Sequence, residues 1–85
     1  MQNLKDVKDF IDVLKNADKK KIDRGLLLTE IKKNENYRRL LNYIVSSDNI
    51  VIKIIANHFN IELTAYIKNF IFFVQKLKYQ EGILI

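Results

Sequence analysis

Ile50-Val51-Ile52-Lys53-Ile54-Ile55-Ala56-Asn57-His58-Phe59-Asn60-Ile61, followed by Thr64-Ala65-Tyr66-Ile67-Lys68-Asn69-Phe70-Ile71-Phe72-Phe73-Val74-Gln75-Lys76-Leu77-Lys78-Tyr79, is the stretch that decides how this chain folds. The β-branched run Ile50-Val51-Ile52 reads as a short strand. Lys53 to Phe59 reads as a helix, and Asn60-Ile61 as a tight turn, because Asn tolerates a left-handed backbone better than most residues. Thr64 to Tyr79 reads as a longer helix. Glu81-Gly82-Ile83-Leu84-Ile85 reads as a second strand that can pair with the first.

At about 100° per residue, the longer helix has two distinct sides. Tyr66, Ile67, Phe70, Phe73, Val74 and Leu77 gather on one, with Ile71 at its margin. This is the expected core face. Thr64, Lys68, Phe72, Gln75 and Tyr79 gather on the other, with Lys76 nearby. Three uses of that second side compete. The N-terminal helix covers Phe72 and Tyr79 as ordinary core; or aromatics and lysines form a protein-docking patch; or Lys68 meets phosphate while the two rings stack on bases.

Upstream, Leu4, Val7, Phe10, Ile11 and Leu14 recur at helical steps. Asn3 suits the N-cap of that helix, and Asp6 its first turn. Asn16-Ala17-Asp18 is expected to end it, leaving Lys19-Lys20-Lys21 in a loop. Ile22 to Lys33 reads as a second helix, weakened by Gly25 at about 1 kcal/mol relative to Ala. Asn34-Glu35-Asn36 is a break. Tyr37, Leu40, Leu41, Ile44 and Val45 then mark an amphipathic helix, stopped by Ser46-Ser47-Asp48-Asn49. The first helix either packs on the rest or serves as an oligomerisation arm. The expectation is one domain over 1–85, all-α with four to five helices, N-terminal helices in 1–34 and a helix-turn-helix region in 35–85. At most it carries a small two-stranded β element.

Tyr37 to Ile85 resembles a winged-helix domain. The helix from Tyr37 to Val45 suits the one that packs behind the motif. Ala56 stands where the family places a small residue between the motif helices. Phe59 and Ile61 flank the turn, Asn60 stands where Gly is usual, and Gly82 leads toward a wing. The chain departs from that pattern at Val51, where a capping Ser or Thr is common. It departs again in its long second helix and in ending at Ile85 before a wing is complete. The resemblance implies a role in nucleic-acid machinery. In size, charge and incomplete wing, the chain also resembles the small accessory subunits of crenarchaeal family-B DNA polymerases. That second resemblance implies a polymerase partner and no activity of its own.

Composition narrows the classes further. The chain has 85 residues and a net charge of +5, with Lys+Arg 15 against Asp+Glu 10. Such a balance favours polyanionic partners. Twelve of the fifteen cations are Lys and three are Arg. Lys meets phosphate as a point charge, whereas Arg forks read guanine edges. Backbone contact is therefore expected over sequence reading. Cysteine is absent, which excludes thiol chemistry and a Cys-based metal site. His58 alone builds no zinc site. Asp6, Asp9 and Asp12 step along one helix face, but Lys5 and Lys8 interleave and mark a solvated surface. No nucleophile elbow, phosphate loop or acid–base carboxylate pair appears. No cofactor is expected. No apolar run nears the ~20 residues of a membrane span, and Lys5, Asp6, Lys8, Asp9 and Asp12 interrupt any secretion signal. A cytoplasmic location without membrane contact is expected.

The leading expectation is a non-catalytic accessory module that docks on a larger protein of replication or transcription and helps hold DNA backbone. Lys68, Phe72, Gln75, Lys76 and Tyr79 are the candidate docking residues. Lys19, Lys20, Lys21, Arg38, Arg39, Lys53, Thr64, Lys68 and Lys76 are the candidates for weak, mainly phosphate contact with DNA. The alternative is a stand-alone transcription regulator that binds as a homodimer, with Thr64 and Lys68 in the major groove.

Overall fold

The computed structural model describes residues 4–80, and among them every regular element is a helix. The order is α1 (Leu4–Lys20), α2 (Arg24–Lys32), α3 (Glu35–Val45), α4 (Asn49–His58) and α5 (Ala65–Gln80). The proposed strand Ile83-Leu84-Ile85 and the N-cap Asn3 lie outside the described residues.

The short connections carry the signals that start each helix. Asp23 accepts from the backbone N–H groups of Gly25 and Leu26, and opens α2. Asn34 does the same for Asn36 and Tyr37 at α3. Asp48 accepts from the Val51 N–H at 2.9 Å and opens α4. Thr64 Oγ1 accepts from the Ile67 N–H at 3.2 Å at the head of α5. Each side chain satisfies donors that a helix start leaves orphaned.

The Asp48 cap overturns the strand reading of Ile50-Val51-Ile52, which form the first turn of α4 instead. Once Asp48 caps a helix, Ile52 and Ala56 fall one turn apart on the buried side. Their burial outweighs the modest β-preference of three branched residues. The two-stranded pairing with 83–85 falls with it. The expected end of α1 at Asn16-Ala17-Asp18 is corrected as well. Ala17 is buried, and the helix continues through Lys19 and Lys20 before Lys21 turns left-handed at φ 53°. Cations in a last turn complement the helix dipole, so the lysine run favours helix over loop.

Two helices end in the same way. After α1, the Ile22 N–H donates to Ala17 O at 3.0 Å and the Lys21 N–H to Asp18 O at 3.2 Å. After α4, the Ile61 N–H donates to Ala56 O at 2.8 Å and the Asn60 N–H to Asn57 O at 3.2 Å, with Asn60 at φ 54°. These paired bonds form the Schellman motif, which needs a left-handed residue just past the helix. The expectation for Asn60 is met. Asn60→Ala is therefore expected to lower stability by about 1 kcal/mol, since a Cβ disfavours this backbone, while Asn60→Gly keeps or slightly raises it. Urea denaturation of the two variants checks the opposite trends. Equal losses would show that the turn depends on the Asn side chain.

One apolar cluster joins the helices. It includes Phe10, Leu14 and Ala17 of α1, Leu27, Leu28 and Ile31 of α2, Leu40, Leu41 and Val45 of α3, Ile52 of α4, and Ile67, Phe70, Ile71 and Val74 of α5. The Phe10 and Tyr37 rings lie 5.7 Å apart. The first helix thus packs on α3 and α5. Tyr66 Oη donates to Ile22 O at 2.6 Å, and the Arg24 guanidinium lies 4.4 Å from the Phe73 ring centre. Both hold α5 against the α1–α2 corner. α4 is the least attached helix, burying only Ile52 and Ala56.

Candidate functional site

The outer side of α5 is open. Phe72 is 64% exposed and Tyr79 67% exposed. The reading in which α1 covers them as core is overturned. α1 lies on the opposite side of α5, where Ile67, Phe70, Ile71 and Val74 are buried. A helical wheel fixes which residues share a side, and here the burial follows it. Lys68 and Lys76 are also exposed, whereas Gln75 is half-buried.

Phe72 forms part of two adjoining grooves. One, of about 290 Å³, runs between α4 and α5 and is lined by Asn49, Ile52, Lys53, Leu63, Lys68, Ile71, Phe72 and Gln75. Its apolar residues come from both helices and from the turn before α5. Lys53 contributes from the α4 side and Lys68 from the α5 side. The other groove, of about 470 Å³, lies against the α3–α4 corner, where Val45 to Asp48 meet Phe72, Gln75, Lys76, Tyr79 and Gln80. Gln75 Nε2 donates to Val45 O at 3.2 Å, at the C-terminal end of α3. That bond ties α5 to the end of α3 beside Phe72 and engages the amide of one candidate docking residue. Lys78 Nζ donates to Asn42 Oδ1 at 2.7 Å and also to Ser46 Oγ. Lys78 is thus a strut between α3 and α5, a role that its sequence position did not signal.

The charge is segregated. The charged residues of α4 and α5 are Lys53, Lys68, Lys76 and Lys78, and neither helix contains Asp or Glu. Among the described residues, Lys53, Lys68 and Lys76 make no salt bridge. The ion pairs lie elsewhere, at Lys5–Asp9, Asp18–Lys21, Glu30–Lys33 and Glu35–Arg39. Ile50 and Ile54, one turn apart on α4, are also exposed. The strand reading hid that face.

The remaining DNA-contact candidates are dispersed. Arg39 pairs with Glu35 at 2.8 Å, and Arg38 is half-buried on α3. The Glu35 pair offsets the unfavourable placing of a cation early in a helix. Lys19 and Lys20 project from the last turn of α1. Lys21 pairs with Asp18 at 2.8 Å and lies 5.6 Å from the Tyr66 ring centre. Thr64 is half-buried, and its Oγ1 donates to Asp18 Oδ2 at 2.7 Å while capping α5. The structure brings Lys53, Lys68 and Lys76 to the Phe72 side. Lys19, Lys21 and Thr64 meet at a separate cleft with Asp18 and Glu62. Among the described residues, no group of three or more His, Cys, Asp or Glu lies together to hold a metal. His58 is exposed, with its ring edge-on to Phe59. Asp6 accepts from Asn36 Nδ2 at 3.3 Å, tying α1 to α3.

The hydrogen bond from Lys21, then that from Thr64, holds the Asp18 carboxyl below the usual carboxylate range. A depressed carboxyl contributes stability above its unfolded value of about 4 and loses it as pH falls through the lower folded value. Asp18→Asn is therefore expected to destabilise at pH 7, with the deficit shrinking as the pH falls below about 4. Urea titrations at several pH values read this. A deficit that stays constant with pH would mean the carboxylate charge is not what joins α1 to α5. The Tyr66 phenol is pushed up, first by burial and then by the Asp18 and Asp23 charges.

No protein-family model, curated protein or solved structure matches the chain. Among the described residues, no helix is long and apolar enough to cross a membrane.

Proposed function

We propose that the protein is a non-catalytic accessory module that docks on a larger protein of nucleic-acid machinery through the outer face of α5. The exposure of Phe72 and Tyr79 is the observation that carries this reading, since exposed aromatic side chains on one face characterise interfaces. The α4–turn–α5 unit supports a helix-turn-helix interpretation, through the buried Ala56 and the left-handed Asn60. Lys53, Lys68 and Lys76 supply a cationic border that favours an anionic partner and assists contact with DNA backbone. Replication is the preferred setting, by resemblance to small polymerase subunits.

A stand-alone regulator is less well supported. The outer face of α5 contains no Arg, Gln75 is engaged with Val45 O, and Thr64 is tied to Asp18. Direct readout needs free amides and guanidiniums. Affinity purification from the native host, with partners identified by mass, tests the reading. Recovery of one stoichiometric protein, lost with Phe72→Ala/Tyr79→Ala, supports docking. Recovery of no partner, with binding to one duplex roughly 10³-fold tighter than to random DNA, would establish the regulator instead.

A further inference from the structure

We infer that the α4–α5 groove receives an acidic amphipathic helix of the protein partner. This deepens the docking reading above and rests on it. Ile52, Leu63 and Ile71 give the groove an apolar lining, and Phe72 borders it. Lys53 and Lys68 supply an ammonium group from each side, and among the described residues no carboxylate lines the groove. Neither helix beside it carries a negative charge, and its two cations are unpaired among the described residues. A helix with aliphatic residues on one side and flanking glutamates satisfies both features. Its apolar side chains cover the lining while its carboxylates meet Lys53 and Lys68.

The other occupants fit less well. A second copy of this face brings lysines against lysines. A nucleic-acid strand meets the ammonium groups but offers no aliphatic surface to Ile52, Leu63 and Ile71. An added strand lacks a template, because the described residues form no sheet edge. A helix uses the groove as a seat for one or two anchor side chains.

The test uses the full chain and three probes. Two are synthetic peptides of about 18 residues, or five helical turns, with Leu at matching helical positions. Glu fills the outer positions of one peptide and Lys those of the other. The third probe is a short oligothymidylate. Binding is followed by fluorescence anisotropy, and the site is located from amide and methyl NMR shifts. The Glu peptide is expected to bind, shifting Lys53, Leu63, Lys68 and Ile71. Its affinity is expected to fall about tenfold in Lys53→Glu/Lys68→Glu, and by a similar factor between about 50 mM and 500 mM salt. The same double variant is expected to accept the Lys peptide. Both substitutions lie on exposed side chains, and circular dichroism checks the fold; Lys53→Gln/Lys68→Gln repeats the test if the reversal unfolds the protein. Equal binding of both peptides, no groove shifts at millimolar peptide, or oligothymidylate that binds more tightly than the Glu peptide and shifts Leu63 and Ile71 each overturns the inference. If partner capture still depends on Phe72 after such a result, the docking reading stands and only the acidic-helix assignment falls. If capture is indifferent to Phe72 and Tyr79 while the Glu peptide binds the groove, the docking reading falls instead.

Discussion

Phe70→Ala is expected to destabilise the protein by about 3–5 kcal/mol, the cost of truncating a buried Phe and leaving a cavity. Phe70 is 1% exposed and lies in the apolar cluster where α5 meets the rest of the bundle. An 85-residue chain has about 4–13 kcal/mol of total stability at about 0.05–0.15 kcal/mol per residue. The substitution therefore removes a large share of it. For a domain of this size, each kcal/mol moves Tm by about 4–8 °C, so a fall of roughly 12–40 °C is expected. Thermal melts followed by circular dichroism measure it. A loss below about 1 kcal/mol would place Phe70 outside the core, and the assignment of both α5 faces would reverse.

Two residues along the same helix, Phe72→Ala is expected to do the opposite. The ring is 64% exposed, so stability should change by no more than about 0.5 kcal/mol. Capture of a docking partner should instead weaken by about 2 kcal/mol, roughly 30-fold, because aromatic anchors carry a disproportionate share of interface energy. Tyr79→Ala, at the far end of the same side, should add to that loss. The double variant should fold and fail to co-purify its partner. Unfolding of both single variants would make these residues structural. Full retention of the partner would move the docking surface elsewhere, with the exposed pair Ile50 and Ile54 of α4 the next place to look.

Much of the helical organisation is written locally. Leu4 to Leu14 and Tyr37 to Val45 announce helices by their spacing, whereas Asn34 and Asp48, which read as a break and a stop, turn out to cap the helices that follow by accepting from free N–H groups. Asn60 announces a left-handed turn, and the backbone adopts it. The division of α5 into a buried and an outer side also follows from its sequence. Two features were misread where local and tertiary preferences diverge. Ile50-Val51-Ile52 favours a strand by residue type, but a cap at Asp48 and core positions at Ile52 and Ala56 favour a helix. Asn16-Ala17-Asp18 looks like a stop, yet burial of Ala17 makes another turn favourable. The groove beside Phe72 gave no local signal, since its lining comes from residues as far apart as Asn49 and Gln75.

By itself the sequence determined a mainly helical fold, the two sides of the helix from Thr64 to Tyr79 and a surplus of lysines, because periodicity and charge are properties of neighbours along the chain. Only the tertiary structure decided that α1 packs on α5 and leaves Phe72 uncovered, and that Lys53 and Lys68 border one groove. Burial depends on which distant segment occupies the space beside a side chain, and that is fixed when the five helices share one core.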